Sequence, residues 1–408
     1  MRQNIILNLK PLQKRFSFFI TSVHTPLIYT ILHLFILLSS ASNLQAQFSN
    51  QSEISILTCA PGEELYSIFG HTAIRVQDSI SNSDYVFNYG TFDFNTSNFY
   101  LKFMKGELNY ILSVTTFDRF IREYEYQRRS VIEQHLNLTT DEKERIIDAL
   151  IKNSLPENRE YHYHFFYDNC ATRVRDIIDV NISDDIEFKA LSADRKGMTY
   201  RDAIGVYLIH SQWTKFGMDL ILGEPTDEIL NRSTIQFLPD FLYDQFKTAK
   251  KHDNVQLVEY EESVISFPKQ TKPSVFIPSF VLWIVFAIIA SISWFEISRR
   301  KLLKVVNISI FLPVSLLSLL IIFLWFFTFH SVTAYNWNLV WANPLNFMMI
   351  VPVLKNTKRF IWIPWIIIIS NLIMFVLYFI IPQEIPKALF PIWLALTLRS
   401  ALYIRILN

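Results

Sequence analysis

Cysteine is nearly missing from this chain. Cys59 and Cys170 are the only two in 408 residues, too few for a disulfide scaffold. An oxidising compartment would allow one bridge between them, and free thiols are the other reading. An excess of either charge is missing as well. Lys and Arg number 38 against 37 Asp and Glu, a balance that gives no reason to expect a nucleic-acid partner. Long apolar runs are missing between Gln47 and Lys272, where charged and polar residues are interleaved as in a globular domain. After Pro273 the pattern reverses and Ile, Leu and aromatic runs dominate. The chain is written for two solvents, water and lipid.

What is present begins with an address. Arg2, Lys10, Lys14 and Arg15 make a basic start, Pro26 to Leu38 is apolar, and small or polar residues lead to Leu44-Gln45-Ala46. That order is expected of a signal peptide over residues 1–46. An uncleaved first membrane helix is the other reading. Either way the chain after Gln47 is placed outside the cytoplasm. No cysteine sits near the cleavage region, so the protein is not expected to be a lipoprotein itself.

The tail carries five apolar stretches that approach or reach bilayer length, near 276–295, 305–329, 339–354, 360–381 and 388–407. Basic loops lie between the first and second (Arg299, Arg300, Lys301, Lys304) and between the third and fourth (Lys355, Lys358, Arg359). Basic loops belong on the cytoplasmic side. The expected topology therefore has an exterior N-terminal domain and a cytoplasmic C-terminus, in the inner membrane. The third stretch holds Asn343, Pro344 and Asn346, which are costly in lipid unless they face protein or water. It reads as a kinked helix at a bundle interface or as the lining of a groove.

Residues 47–272 are expected to form an α+β extracytoplasmic domain, and 273–408 a five-helix transmembrane bundle. Ile54 to Thr58, the stretch after His71, Tyr85 to Gly90, Ser113 to Thr116 and Arg129 to Leu138 read as strands. Asn98 to Gly106 reads as helical, and Thr139 or Thr140 caps a helix running to about Asn153. The aromatic run Tyr161 to Tyr167 is strand-like and ends in Asp168-Asn169. A helix then opens at Cys170 and runs to Val180. A cysteine at a helix start feels the positive end of the dipole and its free N–H groups, which favour the thiolate and can bind an oxyanion. His71, after Gly70, is the candidate general base, with His162 and His164 as rivals. Asn88 is a candidate orienting group if its strand pairs with that of His71. Arg173, one turn beyond Cys170, is a candidate for a lipid phosphate or an ion pair with Asp168 or Asp176. Asn169 and Tyr89, neighbours of Cys170 and Asn88, complete the substrate-binding set. A buried structural Cys170 is the bland alternative. No metal and no cofactor are expected.

At these residues the chain resembles a known family. Leu57–Val76, Val86–Phe94, Tyr161–Asp176, Arg201–Asp227 and Phe237-Leu238-Pro239 are similar to the extracytoplasmic domain of the Bacteroidota lipoprotein N-acyltransferases, Lnb, and the tail is similar to that family's five-helix domain. The order of His before Asn-Cys is also similar to circularly permuted papain-like (NlpC-type) folds, the group that includes lecithin:retinol acyltransferase. The resemblance implies that His71 and Cys170 are base and nucleophile. It also implies transfer of an acyl chain from a membrane phospholipid to the α-amine of a diacylated lipoprotein's N-terminal cysteine. Two other classes stay open: a thiol peptidase or amidase acting on cell-wall peptides, and a non-catalytic membrane assembly protein.

Overall fold

The computed structural model describes residues 48–64, 66–93, 95–182, 186–251, 254–268, 276–355 and 357–407. The expected signal peptide lies outside them. The N-terminal region is built on an antiparallel sheet of seven strands in the order β6-β4-β3-β2-β1-β5-β7. These are β1 Glu53–Cys59, β2 His71–Asp78, β3 Ser83–Thr91, β4 Asn109–Thr116, β5 Val131–Leu136, β6 Glu160–His162 and β7 Val258–Ile265. Helices α1 Phe99–Lys105, α2 Phe117–Tyr126, α3 Thr140–Ser154 and α4 Cys170–Asn181 are threaded between the strands, and α5 Tyr200–Tyr207, α6 Gln212–Ile221 and α7 Pro239–Thr248 follow.

Period-two alternation sorts the strand residues onto two faces. Ile54, Ile56, Ile74, Val76, Phe87 and Tyr89 meet α3, α4 and α7 in the main core. Leu57, Cys59, Ala73, Val86 and Val131 meet Phe120 and Tyr124 of α2 on the other face. Helix α3 is fixed by a capping box between Thr139 and Glu142. The aromatic run before Cys170 is strand only as far as His162, because His164 to Asp168 close a tight turn through paired backbone hydrogen bonds.

Helices α8 Pro278–Arg299, α9 Lys304–Phe326, α10 Leu345–Met348, α11 Ile350–Lys355, α12 Trp362–Leu377 and α13 Phe390–Leu407 make the C-terminal region. Among the described residues three helices, Pro278–Arg299, Lys304–Phe326 and Lys387–Ile406, are long and apolar enough to cross a membrane. Helix α12, with 16 residues, rises only about 24 Å. The third apolar stretch is not one kinked helix. It is a short 3₁₀ turn at Trp337–Val340 followed by α10 and α11. Asn343 and Asn346 take up local carbonyl groups there, on Val340, Trp341 and Asn343 itself. Inside the bundle Arg399 is fully buried, ion-paired with Glu296 and bonded to Asn307 and Ser293.

The two regions interlock. Gly223 N–H donates to the Val332 carbonyl at 2.9 Å, and Asn336 and Asn338 donate to the Leu220 carbonyl at 3.0 and 3.2 Å. Gln383 donates to the Leu222 carbonyl at 3.1 Å, and the Trp337 indole donates to Glu224 at 3.0 Å. Arg201, itself buried, holds this turn together through Asp219, Asp227 and the carbonyls of Leu222 and Gly223.

Candidate active site

Cys170 is the first residue of α4, and its local chain explains why the helix starts there. Asn169 is the N-cap: its Oδ1 accepts from Ala171 N–H at 2.8 Å and Thr172 N–H at 3.0 Å. The Thr172 hydroxyl in turn accepts from the Asn169 N–H at 2.8 Å, closing a reciprocal box. The remaining donors of Asn169 go to the carbonyls of Phe165 and Phe237, at 2.7 and 2.8 Å. Asn169 is thus buried and saturated. Its side chain is spent on fixing Cys170 at the helix start.

His71 opens β2 directly opposite Cys59 in the ladder with β1. Gly70 makes this start possible: its φ is +78°, and an added Cβ would lie 2.8 Å from the Cys59 carbonyl oxygen. His71 Nε2 is 2.5 Å from Asn88 Oδ1 on the neighbouring strand. With Nε2 engaged, Nδ1 is the ring nitrogen left for Cys170, whose thiol is close enough to raise the His71 pKa. The structure therefore brings Asn88, His71 and Cys170 together. Gly90 takes a φ of +88°, which favours glycine, and brings β3 beside Cys170, whose Cβ would be in ordinary contact, 3.5 Å, with a Cβ there. This glycine, two residues beyond Asn88, was the signal in the sequence that went unused.

The electrostatics follow from these contacts. Burial pushes the Cys170 thiol up. The charge of His71, their hydrogen bond and the N–H groups of Thr72 and Ala171 outweigh it and bring the thiol below its ordinary value. Burial likewise pulls His71 down, but Cys170 and Asn88 together raise it above the usual imidazole value. The pair thus leans toward thiolate and imidazolium. Cys59 is the contrast. Both cysteines are free, and burial pushes the Cys59 thiol up to about 12.

The other candidates fall elsewhere. Tyr89 is 1% exposed in the main core, and its hydroxyl accepts from Asn153 at 2.9 Å. It faces away from Asn88 because successive strand residues alternate, and it lies in the core cluster against which Cys170 packs. Arg173 is paired with both oxygens of Asp168 and lies 4.2 Å over the Tyr161 ring. His164 is held in its turn, 2.8 Å from the Ser331 hydroxyl, and burial followed by nearby His330 lowers its pKa. His162 lies against Phe329.

An activated thiol with an oriented imidazole and amide donors suits acyl transfer through a thioester. Residues 41–204 match the model of the Lnb N-terminal periplasmic domain, and residues 270–408 match that of the Lnb transmembrane domain. No curated protein and no solved structure matches the chain.

Proposed function

The chain belongs to the Lnb family, and from that premise we propose that it is a membrane-bound lipoprotein N-acyltransferase with Cys170 as nucleophile. The observation that carries the reading is the Asn88–His71–Cys170 group at a capped helix start. Cys170 gives its proton to His71, and the sulfur attacks the ester carbonyl carbon of a membrane phospholipid. The carbon–oxygen ester bond breaks, and His71 returns the proton to the departing alkoxide, releasing a lysophospholipid. The acyl group remains as a thioester on Cys170. The α-amine of a diacylated lipoprotein's N-terminal cysteine then attacks the same carbon. The carbon–sulfur bond breaks, the electron pair returns to sulfur, His71 takes the amine proton, and an amide is left. The Thr72 N–H group beside the sulfur supplies a donor for the developing oxyanion.

The finer architecture belongs to the same proposal: a cleaved signal peptide over 1–46, and a permuted papain-like catalytic domain over 47–272 in the periplasm. A five-pass bundle over 273–408 would follow in the inner membrane, with its C-terminus in the cytoplasm. Both substrates are held by the bilayer, so a membrane-fixed thiol meets them at high local concentration. The test is mass spectrometry of the purified protein after incubation with phospholipid vesicles. An acyl mass on the Cys170 peptide is expected. Cys170→Ser and His71→Ala should each lose transfer by a factor on the order of a thousand, and the double variant should lose little more. An acyl mass on Cys59, or full activity in Cys170→Ser, would overturn the assignment.

A further inference from the structure

We propose that α1 is an interfacial anchor lying in the outer leaflet, and that the aromatic row behind it is the track along which a phospholipid acyl chain reaches Cys170. The proposal rests on the acyl-transfer reading and identifies where its donor lipid binds.

Helix α1 is turned the wrong way for water. Tyr100, Leu101, Phe103 and Met104 are 77%, 47%, 50% and 52% exposed, while Phe99 is buried and Lys102 half-buried. Four large apolar side chains facing outward on a seven-residue helix are what a lipid surface covers. The position of the helix supports this occupant. The Lys105 carbonyl accepts from the Phe329 N–H at 2.8 Å, and the Met104 carbonyl lies 3.2 Å from His330 Nε2. Phe329 follows α9 at the end remote from Lys304, and Phe326, Phe327 and Phe329 there are all exposed. The 23 residues of α9 rise about 35 Å, more than the roughly 30 Å hydrocarbon layer. Its terminal aromatics therefore fall at the headgroup level, and α1 is bonded to that same level.

Behind α1 the rings run unbroken toward the thiol. Centroid distances are 6.2 Å for Phe103–Phe99, 5.6 Å for Phe99–Phe92, 5.4 Å for Phe92–Tyr110 and 4.2 Å for Tyr110–Tyr163. Tyr163 ends the row beside Cys170: a Cβ on Gly90 would lie 3.8 Å from the Tyr163 ring and 3.5 Å from the Cys170 Cβ. The row is aromatic over its whole length, a chemistry that suits an alkyl chain. Lys102 and Lys105 place positive charge on α1, where a lipid phosphate sits.

Two measurements on the full chain test this, both in vesicles of equal parts phosphatidylethanolamine and phosphatidylglycerol. In the first, a nitroxide is attached to Met104→Cys in a Cys170→Ser background, where Cys59 is too buried to label. A label reached by oxygen but shielded from a water-soluble nickel chelate is expected. A label open to the nickel chelate would overturn the anchor. In the second, the paired change Leu101→Ser and Phe103→Ser should slow acylation of Cys170 by vesicle phospholipid by about tenfold or more. Acylation by a water-soluble short-chain thioester should stay unchanged. Equal loss with both donors, or loss with neither, would overturn the track. If the wild-type protein is acylated by neither donor, the acyl-transfer reading fails and the track with it, while the depth of the label still decides the anchor.

Discussion

Asn88 is the most exposed point of the catalytic argument, because one distance defines its role. Its Oδ1 lies 2.5 Å from His71 Nε2, and on the proposed mechanism it holds the tautomer that leaves Nδ1 toward Cys170 and supports the imidazolium when it forms. Asn88→Ala removes one hydrogen bond to a group that is charged in the active form. Such bonds contribute about 1.5–3 kcal/mol, which converts to a loss of roughly 10- to 150-fold in the rate of Cys170 acylation. The pH dependence carries a sign. Acylation rises with pH as Cys170 ionises, and falls as His71 loses its proton through a raised pKa. Asn88 is one of the groups raising His71, so its removal shifts the falling limb to lower pH. Asn88→Asp keeps an acceptor and adds a negative charge, so its falling limb moves to higher pH. The assay is single-turnover acylation of Cys170 by a soluble thioester across pH, read by mass. A rate in Asn88→Ala within threefold of wild type, with an unmoved falling limb, would refute the orienting role.

Other outcomes follow from separate parts of the molecule. Iodoacetamide below pH 9 should label Cys170 and leave Cys59 untouched, since burial pushes the latter up to about 12, and Cys59→Ser should transfer acyl groups at close to the normal rate. Gly223→Ala puts a Cβ onto the carbonyl oxygen of Ala334, and the forced separation should cost about 1–3 kcal/mol, measured as a lower melting temperature in detergent. Arg399→Met strands the buried Glu296 and should cost about 3–5 kcal/mol. Adding Glu296→Leu should recover part of it, and no recovery would count against an ion pair at that site.

The strands and the cysteine helix were legible because alternation and capping are local. His71 at a strand start and Asn169-Cys170 at a helix start are visible from a few residues each. Even the Asn88 contact could be expected from one hairpin. Nearness in the chain places Tyr89 and Asn169 beside the site but does not show what their side chains hold. Alternation turns Tyr89 into the core, and Asn169 uses its amide on the helix that carries Cys170. Helix α2 follows β4 without a break, and its N-cap, Thr116, makes no side-chain capping bond, so no signal marked it. The edge strand β7 alternates poorly, with three glutamates across Val258–Ile265. The third apolar stretch was legible as irregular but not in its breaks, because those depend on carbonyls within its own loop. The turn at 220–227 was illegible altogether, since its partners lie more than a hundred residues away at Val332, Asn336 and Gln383.

That turn has a consequence for selectivity. The catalytic region is clasped to the bundle through Leu220, Leu222, Gly223 and Glu224 rather than swinging on its covalent tether. On the proposed function, this clasp would hold Cys170 at a fixed height over the bilayer, and acceptors would be filtered by that height. An amine drawn down by two acyl chains in the leaflet arrives at the right level and stays there. The terminus of a soluble protein crosses that level only in passing, however well its sequence fits. Loosening the clasp should therefore widen the range of amines acylated before it weakens the chemistry.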